Sequence, residues 1–486
     1  MDTTYDVAVI GGGIIGALTL RELSRYRLRT VLCEKQADFG CGVTAANSAI
    51  IHAGFDPEPG TRKAEFNLPG CLAYPQLCRE LSADLEPKAS LVVAYSEAEE
   101  ATVQALYQRG LDRGVPQLSL LSAEMLRREE PGLSPRARMA LRAGCSAIVE
   151  PWNVAIDAVE NALENGAEAL REAEVTEIAP AEGGGYRISF RDGRALRALC
   201  VVNCAGLGAE RIHAMVEAPD FHLIPRKGQY YVLDRAAEGL VHNVCFAAPT
   251  ENGKGVLITP AVHGKFLIGP DAVRCDDPEE AATTPEGLAF VRECAAKYLA
   301  HPLPMQQSIR VFAGVRPTPD TGDFLIRRVT DGFVEAAGIE SPGIASAPAI
   351  AGELCRLVTE ELGGAERRDD FLPNCRPRVH FARCSPEEQR SLIARDPAYA
   401  NLICRCETVT EAEIVDCIRR PAGATTVKGV KMRAGAGFGR CQSGFCQPKV
   451  TAILARELCV SPDRVRYANA GSEILSGRTK EGPVHG

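Results

Sequence analysis

The order of apolar and polar positions predicts a β–α–β unit at the start of the chain. In "YDVAVIGGGIIGALTLRELSRYRLRTVLCEK" an apolar run over residues 7–10 leads through glycines into a helical pattern, and a second apolar run ends at Glu34. Much later, "KGQYYVLD", "GVLITPAV" and "KFLIGPDAV" have the composition of short antiparallel strands. The pattern therefore predicts an α/β fold with a second, antiparallel sheet.

The first glycine turn has the spacing of a dinucleotide-binding loop. Gly11-x-Gly13-x-x-Gly16 directly follows the first apolar run, as the motif requires. A helix that begins there offers free N–H groups to a pyrophosphate, and the acid at the end of the second strand is placed to bind a ribose. NAD and FAD both fit this loop. The residues expected at the dinucleotide are Gly11, Gly13, Ile15, Gly16, Glu34 and Lys35.

Three further segments distinguish between the two dinucleotides. "CGVTAANSAIIHAGFDPEPGTRKAEF", "ALCVVNCAGLGAERI" and "GFVEAAGIESPGIASAPAIAGELCRLV" resemble, in the same order, flavin-contacting segments of the D-amino-acid-oxidase-like superfamily. That resemblance implies FAD as the cofactor and places His52 at the reacting centre. The further FAD contacts that it implies are Thr44, Asn47, Ser48, Val175, Ala205, Gly206, Gly338, Ile339, Gly343 and Ile344.

Four cysteines near the C-terminus form two close pairs. A Cys-x-Cys pair is followed after 34 residues by a Cys-x-x-x-x-Cys pair, and such a set of soft ligands suits zinc or an iron–sulfur cluster. The flanking "NLICRCETVTEAEI" and "GRCQSGFCQPKVTAILARELCV" resemble the bacterioferritin-associated-ferredoxin-like (BFD-like) [2Fe-2S] module, and zinc is the alternative. The implied ligands are Cys404, Cys406, Cys441 and Cys446.

A second glycine run, residues 435–439, stands beside the last two of these cysteines. The basic and mixed "KGVKMR" precedes it, whereas a dinucleotide loop needs an apolar strand there. We therefore expect the run to form the wall of the metal site, with Lys428, Lys431 and Arg433 offsetting the negative charge of the cluster.

The resemblances together imply a fold class and a division of the chain. The fold class is α/β: a Rossmann-like FAD-binding domain, an antiparallel-sheet substrate domain and a small helical [2Fe-2S] domain. The oxidoreductase spans residues 1–365, with FAD parts at about 1–90, 145–215 and 330–365 and substrate parts at about 91–144 and 216–329. A linker (366–400), the BFD-like domain (401–465) and a tail (466–486) follow.

Composition excludes several classes of partner. The 486 residues carry a formal charge of −8, which argues against nucleic acid as a partner. We expect no signal peptide and no transmembrane segment, because the start lacks a basic region and no apolar run reaches the length of a membrane span. Membrane association is expected only at the periphery, through a partner. Nineteen mostly scattered cysteines favour the reducing cytoplasm.

The chain contains no second nucleotide fingerprint, so we expect electrons to pass from FAD to the cluster and on to a partner protein. The whole chain resembles anaerobic glycerol-3-phosphate dehydrogenases, and the front part equally resembles L-2-hydroxyglutarate dehydrogenases, in "NSAIIHAGFDPEPGTRKA" and "FAGVRPTPDTGDFLI". The expected reaction is oxidation of glycerol 3-phosphate to dihydroxyacetone phosphate. The alternatives are oxidation of L-2-hydroxyglutarate or another 2-hydroxy acid, oxidation of an amine or proline-like imino acid, and an electron-transfer role without a substrate of its own.

An anionic secondary alcohol needs a proton acceptor and cationic groups. Histidine suits the first role because its pKa lies near neutrality. Of Tyr230 and Tyr231, which alternate along a strand, only one can face the pocket. The candidates for proton transfer are His52 and His263; those for binding the anion are Arg316 and Arg310, with Arg226 and Lys227 assisting.

Overall fold

A computed structural model describes residues 3–249, 255–275, 277 and 280–477. Its strands, numbered in chain order, are β1 (Thr3–Ile10), β2 (Thr30–Cys33), β3 (Ile50–Ile51), β4 (Leu85–Pro87), β5 (Ser90–Ala94), β6 (Leu118–Ser122), β7 (Met139–Ala143), β8 (Ala147–Val149), β9 (Glu168–Leu170), β10 (Val175–Pro180), β11 (Tyr186–Phe190), β12 (Ala195–Asn203), β13 (Leu223–Leu233), β14 (Val244–Ala247), β15 (Leu257–Pro260), β16 (Phe266–Gly269), β17 (Val273–Arg274), β18 (Ser308–Pro319), β19 (Leu325–Thr330), β20 (Phe333–Ala337), β21 (Leu402–Cys404) and β22 (Val409–Thr410).

The α-helices cover the first sheet and build most of the C-terminal unit. They are α1 (Ile14–Leu23), α2 (Arg62–Leu81), α3 (Glu97–Asp112), α4 (Ala123–Glu129), α5 (Pro151–Glu164), α6 (Ala209–His213), α7 (Pro285–Ala296), α8 (Gly343–Glu361), α9 (Pro386–Arg395), α10 (Glu411–Arg419), α11 (Val427–Ala434) and α12 (Gln447–Glu457). No helix in the described part of the chain is both long and apolar enough to cross a membrane.

The first sheet brings the glycine turn to one edge. Its order is β10-β11-β12-β1-β2-β9, with β20 beside β12 and β19 beside β20. Strands β2 and β12 run parallel to β1 on either side, and Ile10 pairs with both Cys33 and Asn203. The three strands are buried here, and α1, α5 and α8 pack together over the sheet. Their carboxyl ends therefore open into one crevice, which is where open α/β sheets bind ligands.

The second sheet is largely antiparallel, as expected. Its order is β17-β13-β16-β15-β14-β5-β7-β6, with β18 beside β13, and only β5 and β14 pair in parallel among its described strands. The long β13–β18 pair sets Arg226 opposite Arg316 and Gly228 opposite Gly314. A Cβ on Gly314 would lie 2.0 Å from the carbonyl oxygen of Ala46, so this pair reaches the loop after β2. The expected α/β class with a second sheet is thus confirmed.

The C-terminal unit is a small helical domain around its own core. The hairpin β21–β22 leads into α10, which begins with a capping box formed by Thr410 and Glu413. Helices α10, α11 and α12 bury Ile414, Val430 and Leu454 against one another. Residues 478–486 of the expected tail lie outside the described residues.

Buried ion pairs attach this unit to the first sheet domain. Arg433 of α11 pairs with Asp38 at 2.6 Å, and Arg420 pairs with Glu160 of α5 at 2.6 Å; all four side chains are at least nine-tenths buried. The expected linker, residues 366–400, contains the helix α9. The two domains are therefore packed together through charged groups that water does not reach.

Candidate functional site

A cavity of about 1940 Å³ lies at the carboxyl edge of the first sheet and extends to the β13–β18 pair. It is larger than the 300–1,000 Å³ typical of a pocket for one drug-sized ligand, so it has room for a dinucleotide and a substrate together. Most of the cofactor contacts expected from the sequence line it: Gly11, Gly13, Ile15, Glu34, Lys35, Thr44, Asn47, Ser48, Val175, Ala205, Gly206, Ile339, Gly343 and Ile344.

The glycine loop leaves the start of α1 open to this cavity. Gly13 is the N-cap of α1 and has no side chain to satisfy the first N–H groups; the Oγ1 atom of Thr44 accepts one of them, from Ile14, at 3.0 Å. A Cβ on Gly11 or Gly16 would lie only 2.4 or 2.0 Å from a backbone oxygen. Gly16 does not line the cavity, so its role is the close packing of helix and strand.

Glu34 supports the loop from below. Its Oε2 accepts a hydrogen bond from the N–H of Gly12 at 2.6 Å, and its Oε1 accepts one from Gln36 at 2.8 Å. Burial raises the pKa of this carboxyl group, which the backbone N–H groups partly offset. The carboxylate thus shapes the loop, and its contact with a ribose stays a prediction.

A second helix N-terminus faces the other end of the cavity. Helix α8 begins at Gly343 without a side-chain cap or an acidic residue in its first turn, and both Gly343 and Ile344 line the cavity. Its N–H groups and dipole therefore favour negative charge there. Gly338 lies outside the lining: it has φ +67°, and a Cβ on it would lie 2.7 Å from Pro319, so it serves the turn before α8.

His52 and a cationic group, Arg316, line the same cavity. His52 lies beside Phe246, with ring centroids 5.7 Å apart, and its carbonyl accepts a hydrogen bond from Asn67 at 2.8 Å. Tyr230 is buried and shares hydrogen bonds with the side chains of Arg316 and Ser48. Tyr230 and Arg316 line the cavity, as does Arg226. The structure thus places an imidazole and a guanidinium group along the wall of one cavity.

Three of the expected substrate residues lie elsewhere. Arg310 is exposed on β18 and donates to Gln442 of the C-terminal unit at 3.4 Å. His263 lies in a turn with φ +71° against Arg383 and Asp84, and burial lowers its pKa to about 4. Lys227 pairs with Glu280 at 3.3 Å. None of the three lines the cavity, and Tyr231 faces away from it as well.

The cavity also contains groups that the sequence analysis did not single out. Lys63 and Glu340 form an ion pair at 2.7 Å at its wall. Asn469, from the end of the C-terminal unit, lines the cavity and accepts a hydrogen bond from the N–H of Ala37 at 3.1 Å. Lys63 lies in residues 41–66, which resemble a flavin-contacting segment, so the sequence could have identified it as a candidate. Asn469 reaches the cavity only because two domains pack together.

The four C-terminal cysteines converge as two pairs. The sulfurs of Cys406 and Cys441 are 3.4 Å apart, and the thiol of Cys446 hydrogen-bonds to Cys404. That bond lowers the pKa of Cys404 to about 6, helped by N–H groups of Gly437, Glu407 and Cys406. The glycine run therefore forms one wall of the cysteine site and supplies one of these donors.

The four thiols match the ligand set of a [2Fe-2S] cluster, which is held by four cysteine thiolates. The N–H groups aimed at the sulfur of Cys404 would stabilise the negative charge of such a cluster.

The basic residues near the cluster have different roles. Lys431 is buried with its Nζ 4.7 Å from the ring centre of Phe438, and burial lowers its pKa to about 8. Arg433, expected beside the cluster, instead pairs with Asp38 of the first domain. The expectation for Arg433 was wrong because the sequence does not show that α11 packs its last turn against that domain.

Comparison with known proteins agrees with both sites. A family model described as FAD dependent oxidoreductase matches residues 6–357. The chain belongs to this family. A model described as BFD-like [2Fe-2S] binding domain matches residues 402–456 of the same oxidoreductase. FAD and a [2Fe-2S] cluster are therefore its cofactors, as the open helix N-termini of the cavity and the paired thiols of the C-terminal unit independently indicate.

Relatives of this FAD dependent oxidoreductase include a glycerol 3-phosphate dehydrogenase and L-2-hydroxyglutarate dehydrogenases. A glycerol 3-phosphate dehydrogenase of Caloramator mitchellensis is 43% identical over 98% of this chain and 99% of its own. The mitochondrial L-2-hydroxyglutarate dehydrogenase of Homo sapiens is 30% identical over 56% of this chain and 61% of its own. The solved structure of dithionite-reduced L-alpha-glycerophosphate oxidase from Mycoplasma pneumoniae with FAD bound has 29% identity and a TM-score of 0.73, covering 76% of this chain and 98% of that chain.

Proposed function

We propose that this oxidoreductase converts glycerol 3-phosphate to dihydroxyacetone phosphate and delivers the electrons, through its [2Fe-2S] domain, to a partner protein. The observation that carries the proposal is the similarity to a glycerol 3-phosphate dehydrogenase along 98% of the chain, across both domains. The cavity supports it, because a cationic group, Arg316, and a histidine, His52, line the same cavity as the glycine loop. None of the nineteen cysteines, all of which lie in the described part of the chain, forms a disulfide bond, which supports a reducing, cytoplasmic location.

Arg316 is the residue proposed to bind the phosphate. A guanidinium group donates two parallel hydrogen bonds to a phosphate, and the bonds with Tyr230 hold it in one orientation. Arg226 lies opposite Arg316 on the neighbouring strand and lines the same cavity. The two positive charges therefore suit a dianionic phosphate better than a neutral alcohol.

His52 is the residue proposed to accept the proton of the C2 hydroxyl group. Its ring lies against Phe246, and the bond from Asn67 to its carbonyl positions its backbone. A neutral imidazole near pH 7 is a suitable base for this step. Bound FAD supplies the acceptor for the hydride that leaves C2. The N-terminus of α8 contributes positive potential at the same end of the cavity.

The test is anaerobic mixing of the purified protein with glycerol 3-phosphate, L-2-hydroxyglutarate or proline, followed by flavin absorbance. We expect bleaching with glycerol 3-phosphate at the lowest concentration. Arg316→Lys should raise KM by about 10- to 100-fold, since one bidentate pair is worth roughly 1.5–3 kcal/mol. Arg310→Lys is the matched control, because Arg310 lies on the same strand outside the cavity. Bleaching by L-2-hydroxyglutarate alone would instead favour the second group of relatives, and bleaching by none would reject the proposal.

A further inference from the structure

The most exposed large apolar side chain of the described chain lies beside a cluster ligand. Phe445 is 81% exposed, compared with 58% for Leu372 and 52% for Leu72. It stands directly before Cys446 in a tight loop, in which Gly444 donates to the carbonyl of Cys441 and Gln447 to that of Ser443. The phenyl ring is thus presented to solvent by an ordered backbone. Exposed aromatic residues of this kind are enriched in protein interfaces.

Three positively charged residues stand beside the cluster ligands and this aromatic residue in the sequence, although the chain as a whole is acidic. Arg405 lies between Cys404 and Cys406, Arg440 directly precedes Cys441, and Lys449 lies in the first turn of α12; all three are exposed. In the part of the chain that the structure describes, neither Arg405 nor Lys449 makes an ion pair. Arg440 lies 3.8 Å from Asp234 and donates a hydrogen bond to the neutral side chain of Gln307 at 2.5 Å.

The nearby carboxylates leave this positive charge uncompensated. Glu407 is held by Arg235 at 2.9 Å and by Lys265 at 3.2 Å, and Glu411 is held by Arg456 at 2.6 Å. The local surface is therefore positive on a chain whose formal net charge is −8. Such a patch attracts an acidic partner and orients it during the encounter.

The cysteine pairs differ in exposure in a way that matches this surface. Cys404 and Cys446 are buried, whereas Cys406 is exposed and Cys441 is half-buried. Arg405 directly precedes Cys406 and Arg440 directly precedes Cys441, so the two ligands nearest to solvent are each adjacent to an exposed cation, where a partner would approach most closely.

We propose that Phe445 and the three cations Arg405, Arg440 and Lys449 form the docking surface for an acidic one-electron carrier protein. This inference rests on the proposed electron transfer to a partner. The partner binds with an apolar contact on Phe445 and with carboxylates on the three cations. In the transfer itself the reduced protein gives one electron to the carrier, and no bond is made or broken.

The test uses one carrier in two charge states. Cytochrome c is basic, and succinylation of its lysines makes it acidic while the haem stays the same. Binding of both forms to the oxidised, cluster-loaded protein is measured by calorimetry at low salt, without substrate, so failure of the glycerol 3-phosphate assay does not affect the result. We expect at least tenfold tighter binding of the succinylated form, weakening as salt is added. Stopped-flow reduction of ferric haem by the dithionite-reduced protein should show the same preference.

Substitutions distinguish the contribution of the Phe445 ring to carrier binding from that of the three cations. Phe445→Ser should weaken binding of succinylated cytochrome c by about tenfold with unchanged iron content, and Arg405→Glu/Lys449→Glu should reverse the charge preference. The matched controls are Leu72→Ser and Arg127→Glu, exposed positions on α2 and α4 away from the cluster domain. Tighter binding of native cytochrome c, or equal effects of Phe445→Ser and Leu72→Ser, would overturn the proposal. So would sedimentation that shows a dimer of this chain lost in Phe445→Ser while carrier binding is unchanged.

Discussion

The chain contains two glycine-rich segments, residues 11–16 and 435–439, in which the absence of a side chain serves different purposes. In the first, a Cβ on Gly11 or Gly16 would collide with backbone oxygens of the same loop and its neighbouring strand, and the loop turns its N–H groups outward to a large cavity. In the second, a Cβ on Gly437 would lie 2.1 Å from Ser443, and one on Gly439 would lie 2.3 Å from Cys406. There the backbone closes inward on thiols. Composition alone does not distinguish the two; the strand before the first one does.

One aromatic side chain joins the two segments. The N–H of Gly40 donates to the carbonyl of Gly12 at 2.8 Å, and a Cβ on Gly40 would lie 2.9 Å from the carbonyl oxygen of Trp152. The indole ring of Trp152 stacks on Phe438 of the second segment, with centroids 5.8 Å apart. The backing of the FAD loop and the wall of the cluster site are therefore in contact through the start of α5.

Loss of a cluster ligand should produce the largest difference between the two sites. We expect Cys441→Ser to lower iron and sulfide content at least about tenfold, because a serine hydroxyl is a poor replacement for a thiolate on iron. The flavin content should stay the same. Elemental analysis and the visible spectrum measure both. Cys459→Ser, an exposed cysteine of the same domain, is the control; full iron content in Cys441→Ser would reject the ligand assignment.

Removal of one buried partner should separate the domains that contain the two segments. Arg433→Ala leaves the buried Asp38 carboxylate with only Arg171, at 3.7 Å, in place of two short contacts with Arg433, which costs up to about 3–5 kcal/mol. We expect an earlier unfolding transition in urea and faster proteolysis within residues 366–400. Arg456→Ala breaks an exposed pair with Glu411 and should cost about 1 kcal/mol or less. Equal effects of the two substitutions would show that the Arg433 pair does not hold the domains together.

A crossed pair of glycine substitutions tests the two segments directly. Gly16→Ala should weaken FAD binding, and Gly437→Ala should lower cluster occupancy, each by about 1–3 kcal/mol. A methyl group at position 16 would meet the carbonyl oxygen of Gly11, and one at position 437, which has φ +97°, would meet the hydroxyl group of Ser443. Each should leave the other cofactor unaffected. Gly435→Ala is the matched control: it has φ +76° but open space around a Cβ, so only backbone strain remains. Loss of both cofactors in either variant would contradict independent roles.

Local sequence was sufficient for the FAD loop and insufficient for the substrate end. Gly11 and Gly13 line the cavity because the backbone of the glycine turn itself forms part of its wall. Arg310 and Arg316 stand on one strand and are indistinguishable by pattern. Six residues of strand span about 20 Å, so one end of β18 meets the cluster domain while the other lines the cavity.

Contacts between domains could not be predicted, whereas one missed helix could. The stack of Trp152 on Phe438 and the contact of Asn469 with Ala37 join residues hundreds of positions apart. Helix α9, by contrast, begins with a capping box of Ser385 and Glu388, a spacing that is visible in "SPEEQ". The proline and charge content of that segment obscured a local signal that was present.

The smallest expected effect concerns the start of α5, where the two segments meet. Burial, with the charge of Asp84, raises the pKa of Glu150 to about 7. Between about pH 5 and pH 7 the folded protein therefore holds a proton that the unfolded chain has released, and this group makes stability fall as pH rises. Glu150→Gln introduces a neutral amide of nearly the same shape as the protonated carboxyl group. It should remove that slope and stabilise the protein at pH 8 by about 1–2 kcal/mol. Urea unfolding at pH 5 and pH 8 measures the difference. If the free energy of unfolding changes with pH equally in wild type and variant, Glu150 is charged in the folded protein. The junction between the two segments would then tolerate a buried carboxylate.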